Sequence, residues 1–101
     1  MEDVIVKKEY YTSGELKSET PILNEELHGV VKEYYKSGRL KYHALFVNDK
    51  EQGLKKFYYE SGMIEIEYPY LNGLMHGVVK LYSESGEVKR VITYVNGKRL
   101  K

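Results

Sequence analysis

The stretch Tyr34-Tyr35-Lys36-Ser37-Gly38-Arg39-Leu40 decides the fold, because the chain contains four versions of it at a constant spacing. The Ser-Gly pair at its centre recurs at 13–14, 37–38, 61–62 and 85–86, and each step is 24 residues. A constant period of this length is typical of repeat proteins, in which every unit packs against its neighbours in the same way. We therefore predict one repeat domain over residues 1–101, with units at approximately 5–28, 29–52, 53–76 and 77–101.

Length and composition narrow the classes of function. The chain has 101 residues, 16 basic and 15 acidic side chains and a net charge of +1, and this balance is unlike the basic excess of dedicated nucleic-acid-binding proteins. It has no cysteine, so it can form neither a disulfide nor a thiolate metal site. The acidic start is not a signal peptide, and no apolar run is long enough to span a membrane. We predict a cytoplasmic location, with peripheral attachment to a membrane as a variant.

Turn-forming residues divide each unit into two strands. The 9 glycines all fall in turn positions, and asparagine recurs at 24, 48, 72 and 96. A short turn at Ser-Gly alternates with a longer turn such as Asn24–Gly29, and no segment has a helical period. We predict an all-β protein of four tandem β-hairpins, about eight strands in one elongated, twisted antiparallel meander. A closed eight-stranded barrel is the alternative, although strictly translational repeats favour the open sheet.

The geometry of the short turn determines which side chains share a face. A two-residue loop would pair Tyr35 with Leu40, whereas a three-residue loop with a G1 bulge would pair Tyr34 with Leu40. Tyrosine occupies the Tyr34 position in all four units, while the Tyr35 position changes to Ser83, which favours the three-residue loop. Even-numbered residues would then share the apolar face. Its predicted members are Val30, Tyr34, Leu40, Ala44, Phe46, Leu54, Tyr58, Ile64, Ile66, Tyr68 and Tyr70.

Two further columns modify this pattern. Lysine recurs on the same face, where its stem can lie along the tyrosines and its ammonium group can reach water or bind phosphate and other anions. These candidate anion contacts are Lys8, Lys32, Lys56 and Lys80. Pro21 and Pro69 cannot donate a hydrogen bond to a neighbouring strand, so we predict a bulge or loosened pairing at both.

The segment Asn72-Gly73-Leu74-Met75-His76-Gly77, followed by Tyr82, resembles the MORN repeat, as does Asn24–Gly29 followed by Tyr34. The bacterial variant of that repeat, with its Tyr-Tyr-x-Ser/Asn-Gly-x-Leu element, is the most similar pattern, and the resemblance covers nearly the whole chain. It implies stacked hairpins that serve in scaffolding, partner binding or association with a membrane surface rather than catalysis. Some similar bacterial proteins are labelled antitoxin components of toxin–antitoxin pairs. Residues that depart from the family pattern are Glu25, Asp49, Val31 and Val79.

No residue pattern predicts chemistry. His28 and His76 would lie four strands apart, roughly 19 Å at about 4.8 Å per strand, which is too far to share a metal ion. The serines at the short turns recur as turn formers, whereas a catalytic serine needs a base beside it. We therefore predict no catalytic, cofactor or metal site and no enzymatic activity.

Two sets of residues are candidates for contact with a protein partner. The first is Tyr11, Tyr35 and Tyr59, since the change to Ser83 suggests that the fold does not need an aromatic ring at this position. The second is Val91, Thr93 and Val95 in an uncharged strand at the sheet edge, which can pair with a partner or a second copy unless residues 96–101 cover it. The predicted function is a protein-interaction or scaffolding module. The alternatives are a module that binds acidic phospholipid and an antitoxin; nucleic acid is disfavoured.

Overall fold

The computed structural model describes residues 3–100, and all eleven strands in that range belong to one antiparallel sheet. The strands are β1 (Ile5–Tyr10), β2 (Leu16–Leu23), β3 (Glu26–Leu27), β4 (Gly29–Tyr34), β5 (Leu40–Val47), β6 (Lys50–Tyr58), β7 (Ile64–Leu71), β8 (Leu74–Met75), β9 (Gly77–Tyr82), β10 (Val88–Val95) and β11 (Lys98–Arg99). Their order is β1-β2-β4-β5-β6-β7-β9-β10-β11, with β3 on β2 and β8 on β7. The sheet is open, as predicted, and the closed alternative is wrong.

The short turns have the predicted geometry. In the second unit Tyr34 pairs with Leu40, and the Tyr35 amide donates to the Arg39 carbonyl oxygen at 2.8 Å. The Gly38 amide donates to the Tyr35 carbonyl oxygen at 2.9 Å, and Gly38 has a φ of 92°, which a residue without Cβ adopts readily. This is a type I turn followed by a G1 bulge. The other three units repeat the same pair of hydrogen bonds.

A second bulge follows each short turn and was not predicted. Tyr34 pairs with Leu40, but the residue before Tyr34 pairs with Tyr42, so Lys41 is an extra residue in β5. The register shifts equally in the other hairpins, at Lys17, Glu65 and Lys89. An extra residue moves every later side chain to the opposite face. The prediction that even-numbered residues share one face is therefore wrong, because Leu40 and Ala44 lie on opposite faces.

The longer turns are tighter than predicted. Each is a two-residue turn, such as Asn72 (φ 50°) and Gly73 (φ 85°), after which the chain pairs back at once. The returning strand is short except after Asp49, where it is the start of β6. Positive φ at both central residues defines a type I′ turn, and asparagine tolerates this conformation better than most residues. Glu25 and Asp49 adopt it as well, at φ 66° and 68°. At Asn24–Gly29 and Asn72–Gly77 the predicted six-residue turn is thus a two-residue turn, two paired residues, a histidine outside the strands and a glycine that begins the next strand.

The prolines loosen the pairing as predicted. The carbonyl oxygen of Pro21 accepts from the His28 amide at 3.1 Å, and that of Pro69 accepts from the His76 amide at 3.0 Å. Neither ring nitrogen can donate in return, so the returning chain breaks into two strands at both histidines. At the corresponding place Leu45 pairs with Gln52, and β6 continues through nine residues.

The sheet is a single layer with a thin core. The described chain measures 43 × 33 × 18 Å, and its buried apolar side chains are Pro21, Val31 (8% exposed), Ala44 (1%) and Val79 (2%). Val30, which we predicted on the apolar face, is 42% exposed. Since no second layer formed by the described residues covers either face, each unit is stabilised mainly by its neighbours in the sheet. Within residues 3–100 no helix has the length and hydropathy needed to cross a membrane.

Candidate interaction surfaces

The first candidate surface is an aromatic cluster at the centre of the face that carries Val31, Ala44 and Val79, called the aromatic face below. The cluster consists of Tyr42, Phe57, Tyr68 and Tyr70. The register places Tyr42 beside Phe57 across β5 and β6, and their rings stack with centroids 5.1 Å apart and planes 15° apart. The ring of Phe57 meets Tyr68 edge-on at 6.0 Å. Both arrangements are favourable aromatic geometries.

Lys55 lies at the centre of this cluster. Its ammonium nitrogen is 5.6 Å from the ring centroids of Tyr42 and Phe57 and 5.9 Å from that of Tyr70. It is also 3.7 Å from the carboxylate of Glu51, which lies four residues earlier in β6 on the same face. Burial raises the pKa of the Tyr42 and Tyr70 hydroxyls, and the Glu51 charge raises both pKa values further. At neutral pH the cluster therefore presents neutral phenols around one partly neutralised cation.

Sequence reasoning missed part of this cluster. Tyr68 and Tyr70 were predicted on the apolar face, but Tyr42, Phe57 and Lys55 were not. The bulge after each short turn brings odd-numbered residues of β6 beside even-numbered residues of β5 and β7. The sequence contains a signal of this bulge, because the residue at the bulge position is charged in all four units, whereas the residues on either side of it are largely apolar. The charged residues are Lys17, Lys41, Glu65 and Lys89.

The second candidate surface is a row of charged side chains across the opposite face, called the lysine row. Pairing from strand to strand places in one line Lys8, Glu19, Lys32, His43, Lys56, Glu67 and Lys80. The four predicted lysines thus share the face of Tyr34, as expected. Lys8 lies 3.9 Å from Glu19 and Lys56 lies 3.8 Å from Glu67. Within residues 3–100, Lys32 and Lys80 form no ion pair, so they are the members of the row with charge to offer an anion.

Tyrosines border the lysine row and bind its acidic members. The Tyr34 hydroxyl donates to Glu19 at 2.6 Å, and this bond, together with burial, raises the pKa of Tyr34 to about 12. Tyr82 donates in the same way to Glu67. In the middle of the sheet His43 replaces the acid, and its Nε2 lies 3.0 Å from the Tyr58 hydroxyl. Burial lowers the pKa of His43, and Lys56 and Lys32 lower it further, so the ring is neutral at pH 7.

The tyrosines predicted as free partner contacts are engaged in the fold. The hydroxyl of Tyr35 donates to the Tyr58 carbonyl oxygen of the next unit at 2.6 Å. Tyr11 and Tyr59 make the same bond to the corresponding carbonyls, at 2.5 and 2.7 Å. The prediction that the fold leaves these side chains free is therefore wrong, because each one ties two units together. Their rings remain partly exposed, so contact with a partner stays a prediction.

The predicted edge strand is only half covered. β11 pairs with Tyr94 and Val95, and the Leu100 amide donates to the Thr93 carbonyl oxygen at 2.8 Å. Thr93 and Val95 are therefore occupied by the chain's own tail, as one of the two sequence interpretations had it. Val91, which is 55% exposed, has no strand on its outer side within residues 3–100.

His76 and Ser13 have structural partners, whereas the buried Nδ1 atom of His28 has no hydrogen-bond partner among the described residues. The Nδ1 atom of His76 accepts from the Asn96 amide at 3.2 Å, which fixes the next type I′ turn, and Gln52 holds Asn72 in a similar way. In the described part of the chain no three His, Cys, Asp or Glu side chains come together as metal ligands would. The Ser13 hydroxyl donates to Glu15 inside its own turn.

The repeating hairpins can be matched to a known repeat. The family model of the MORN repeat variant matches residues 5–24, 27–48, 51–72 and 75–96. This chain belongs to the MORN repeat variant family. In the structure, each of the last three matched MORN segments starts at the second residue after a type I′ turn and ends at the asparagine of the next such turn. No curated protein and no solved structure matches the chain.

Proposed function

We propose that this MORN repeat chain is a non-enzymatic protein-binding module and that its aromatic face receives the partner. The observation that supports the proposal is the cluster of Tyr42, Phe57, Tyr68 and Tyr70, which no other layer of the described chain covers. Tyrosine is one of the residues that most often dominate binding energy at the centre of an interface, and phenylalanine is enriched in interfaces as well. Their rings are held by stacking and by Lys55, so little side-chain freedom is lost when a partner docks.

The position of the cluster supports the same proposal. It lies on β5, β6 and β7, in the middle of the sheet, so a partner can extend from it over both neighbouring units. Repeat sheets of this kind offer long surfaces on which several units contribute contacts. The single cation of Lys55 is offset by Glu51 at 3.7 Å, so the centre has little net charge. The partner surface is therefore expected to be apolar at its centre rather than strongly acidic or basic.

Site-specific photo-crosslinking tests the proposal. A photoreactive phenylalanine replaces Tyr68 on the aromatic face or, as the matched control, Leu54, which is 46% exposed on the lysine-row face. Both variants are exposed to extract of the native host, and the crosslinked bands are identified by mass spectrometry. We expect a specific partner to crosslink to position 68 and not to position 54. A partner that crosslinks only at position 54, or whose capture is unchanged by Phe57→Ala, would remove the aromatic face from the proposal.

A second candidate function is binding to acidic phospholipid through the lysine row. Lys32 and Lys80 support it, because neither has an ion pair within the described residues. Co-sedimentation with phosphatidylserine vesicles over a salt series tests it, and binding should weaken as salt increases. The Lys32→Glu, Lys80→Glu double variant should lose binding, while Lys17→Glu, Lys89→Glu, with the same change in charge, should retain it. Equal loss in both pairs, or no binding by the original chain, argues against this function.

A further inference from the structure

The two ends of the sheet are complementary halves of the contact that joins one unit to the next. At one end, β1 is the first strand of a unit and its outer side is unpaired within residues 3–100. At the other end, β10 is the second strand of a unit. Its outer side is covered at Tyr94 and Val95 by β11 and at Thr93 by Leu100, and no described residue pairs with it from Val88 to Ile92.

The contacts between neighbouring units inside the chain, called the internal joints below, show which strand fits an open half-strand of this kind. Beside β2, the first strand of the next unit places Glu33 opposite Ser18. Beside β7, it places Leu81 opposite Ile66. Each pair follows the previous equivalent by 24 residues in both strands. The residue opposite Arg90 would therefore be number 105, and four periods of 24 residues before it is residue 9, because 105 − 96 = 9.

We propose that copies of this chain associate head to tail, with β1 of a second copy added to the open half of β10 of the first. The translational register places Glu9 of the second copy opposite Arg90 and Lys8 of the second copy opposite Val91. This proposal concerns the sheet edges and is independent of the partner proposed for the aromatic face.

The charges at the two edges support this register. Glu9 and Arg90 are both exposed, and neither takes part in an ion pair within residues 3–100. The pairing places them directly opposite each other on the same face, where opposite charges attract and like charges repel. Lys8 already has Glu19 at 3.9 Å, so it needs no second acid, and the residue that meets it is the apolar Val91.

Pairing of two identical edges is less favourable. In a two-fold contact between two β10 strands, the tail residue Leu100 already occupies the outer side of Thr93 in each copy. The remaining register that uses Lys89 and Val91 places Arg90 opposite Arg90 of the second copy, and directly opposed like charges destabilise a strand pair. A head-to-tail contact is heterologous, so it extends into chains of copies rather than stopping at a dimer.

The joint between copies lacks one bond that every internal joint has. Tyr11, Tyr35 and Tyr59 each donate to a carbonyl of the following unit, whereas the Ser83 hydroxyl lies 2.8 Å from the Ser85 hydroxyl in its own turn. A serine is too short to reach the next unit in the way that a tyrosine does. Association between copies is therefore expected to be reversible and to depend on concentration.

Charge reversal tests the register. Sedimentation velocity of the full chain over a concentration series should show oligomers that grow with concentration. Glu9→Arg or Arg90→Glu alone should weaken association about tenfold, because each replaces an attraction with a repulsion. The double variant Glu9→Arg, Arg90→Glu should restore it, and so should mixing the two single variants. Lys50→Glu, an exposed change away from both edges, should leave association unaltered.

The outcomes separate the alternatives. A wild-type chain that is monomeric at every concentration overturns the proposal, as does a double variant that associates as weakly as the single variants. Stronger association of Arg90→Ala, together with no effect of Glu9→Arg, would indicate the two-fold contact instead, because alanine removes the repulsion between the two Arg90 side chains, and would also overturn the proposal. Circular dichroism and thermal melting of each variant confirm that the sheet is intact, so loss of association cannot be confused with unfolding.

Discussion

The middle joint of the sheet differs from the two joints that flank it. In the outer joints Pro21 and Pro69 face His28 and His76, and the returning chain breaks there into two strands. In the middle joint Leu45 pairs with Gln52, and β6 runs unbroken. The glycines that follow have a φ of 125° and 127° at the outer joints, at Gly29 and Gly77, and of 75° at Gly53 in the middle. The missing proline N–H thus changes the path of the chain across each of the two outer joints.

Other contacts are the same at all three joints. The tyrosine hydroxyl reaches the next unit in each, and the second residue of each type I′ turn donates its amide to the unit before it. These amides are those of Asp49, Gly73 and Gly97, and they donate to Leu27, Glu51 and Met75 at 2.9, 2.9 and 2.7 Å. All of these bonds end on a backbone carbonyl, which every residue type provides. The repeat period is therefore maintained by contacts with the backbone, while the side chains around them vary.

Replacing Gly77 at an outer joint and Gly53 at the middle joint should give the largest difference in stability between the joints. Both glycines have a positive φ that strains an L side chain, but a Cβ at Gly77 would also lie 3.1 Å from Cβ and Cγ of Pro69, whereas a Cβ at Gly53 would meet nothing within 4 Å. We expect Gly77→Ala to lower the free energy of unfolding by about 3 kcal/mol and Gly53→Ala by about 1 kcal/mol, measured by urea denaturation. Equal losses at the two sites would show that contact with Pro69 does not distinguish the joints.

Converting the middle joint into an outer one should have the next largest effect. Leu45→Pro removes the amide that pairs with Gln52, without the glycine conformation that accommodates proline elsewhere. We expect a loss of about 2 kcal/mol in the free energy of unfolding, from the lost ladder bond and an unpaired carbonyl. Leu45→Ala is the control, and since Leu45 is 39% exposed it should lose less. Urea denaturation of both variants measures the difference, and equal losses would show that the Leu45 amide makes no contribution to the middle joint.

The tyrosine bonds shared by all joints should each make a smaller contribution. Tyr35→Phe keeps the ring and removes the hydroxyl that donates to the Tyr58 carbonyl oxygen at 2.6 Å. We expect a loss of about 1 kcal/mol in the free energy of unfolding, typical of one hydrogen bond. Tyr10→Phe is the matched control, because Tyr10 is 58% exposed and should give almost no change. If both variants unfold at the same urea concentration, the inter-unit bond contributes nothing measurable.

The smallest expected effect is a pH dependence specific to the middle joint, where His43 replaces the glutamates of the outer joints. The folded sheet holds the pKa of His43 below its ordinary value of 6.5, chiefly through burial. The unfolded chain therefore binds the proton more readily, so stability is fully present above pH 6.5 and falls as the pH drops through the folded pKa. Urea denaturation at pH 7.5 and pH 5 should show this loss, and His43→Gln should reduce it. An NMR titration of His43 with a midpoint above 6.5 would contradict the assignment.

Part of the interaction surface was beyond sequence reasoning for a physical reason. The G1-bulge turn followed from the columns of Tyr34 and Leu40, since hairpin geometry links a loop to its flanking pair. The additional bulge at Lys41 depends on how β5 pairs along its whole length, and it moved Tyr42 and Ala44 to the other face. The prediction for Tyr35 failed because its acceptor is in the next unit, 23 residues away.

The sequence by itself determined the period, the open meander, the short-turn geometry and the weak points at Pro21 and Pro69. All of these follow from backbone preferences of a few adjacent residues: glycine and asparagine at positive φ, proline without an amide hydrogen, and a 24-residue spacing. Only the tertiary structure decided which face carries the aromatic cluster, which lysines lack a carboxylate, and which tyrosines join the units. Those features depend on pairing between strands, where a single extra residue reverses the face of every side chain that follows.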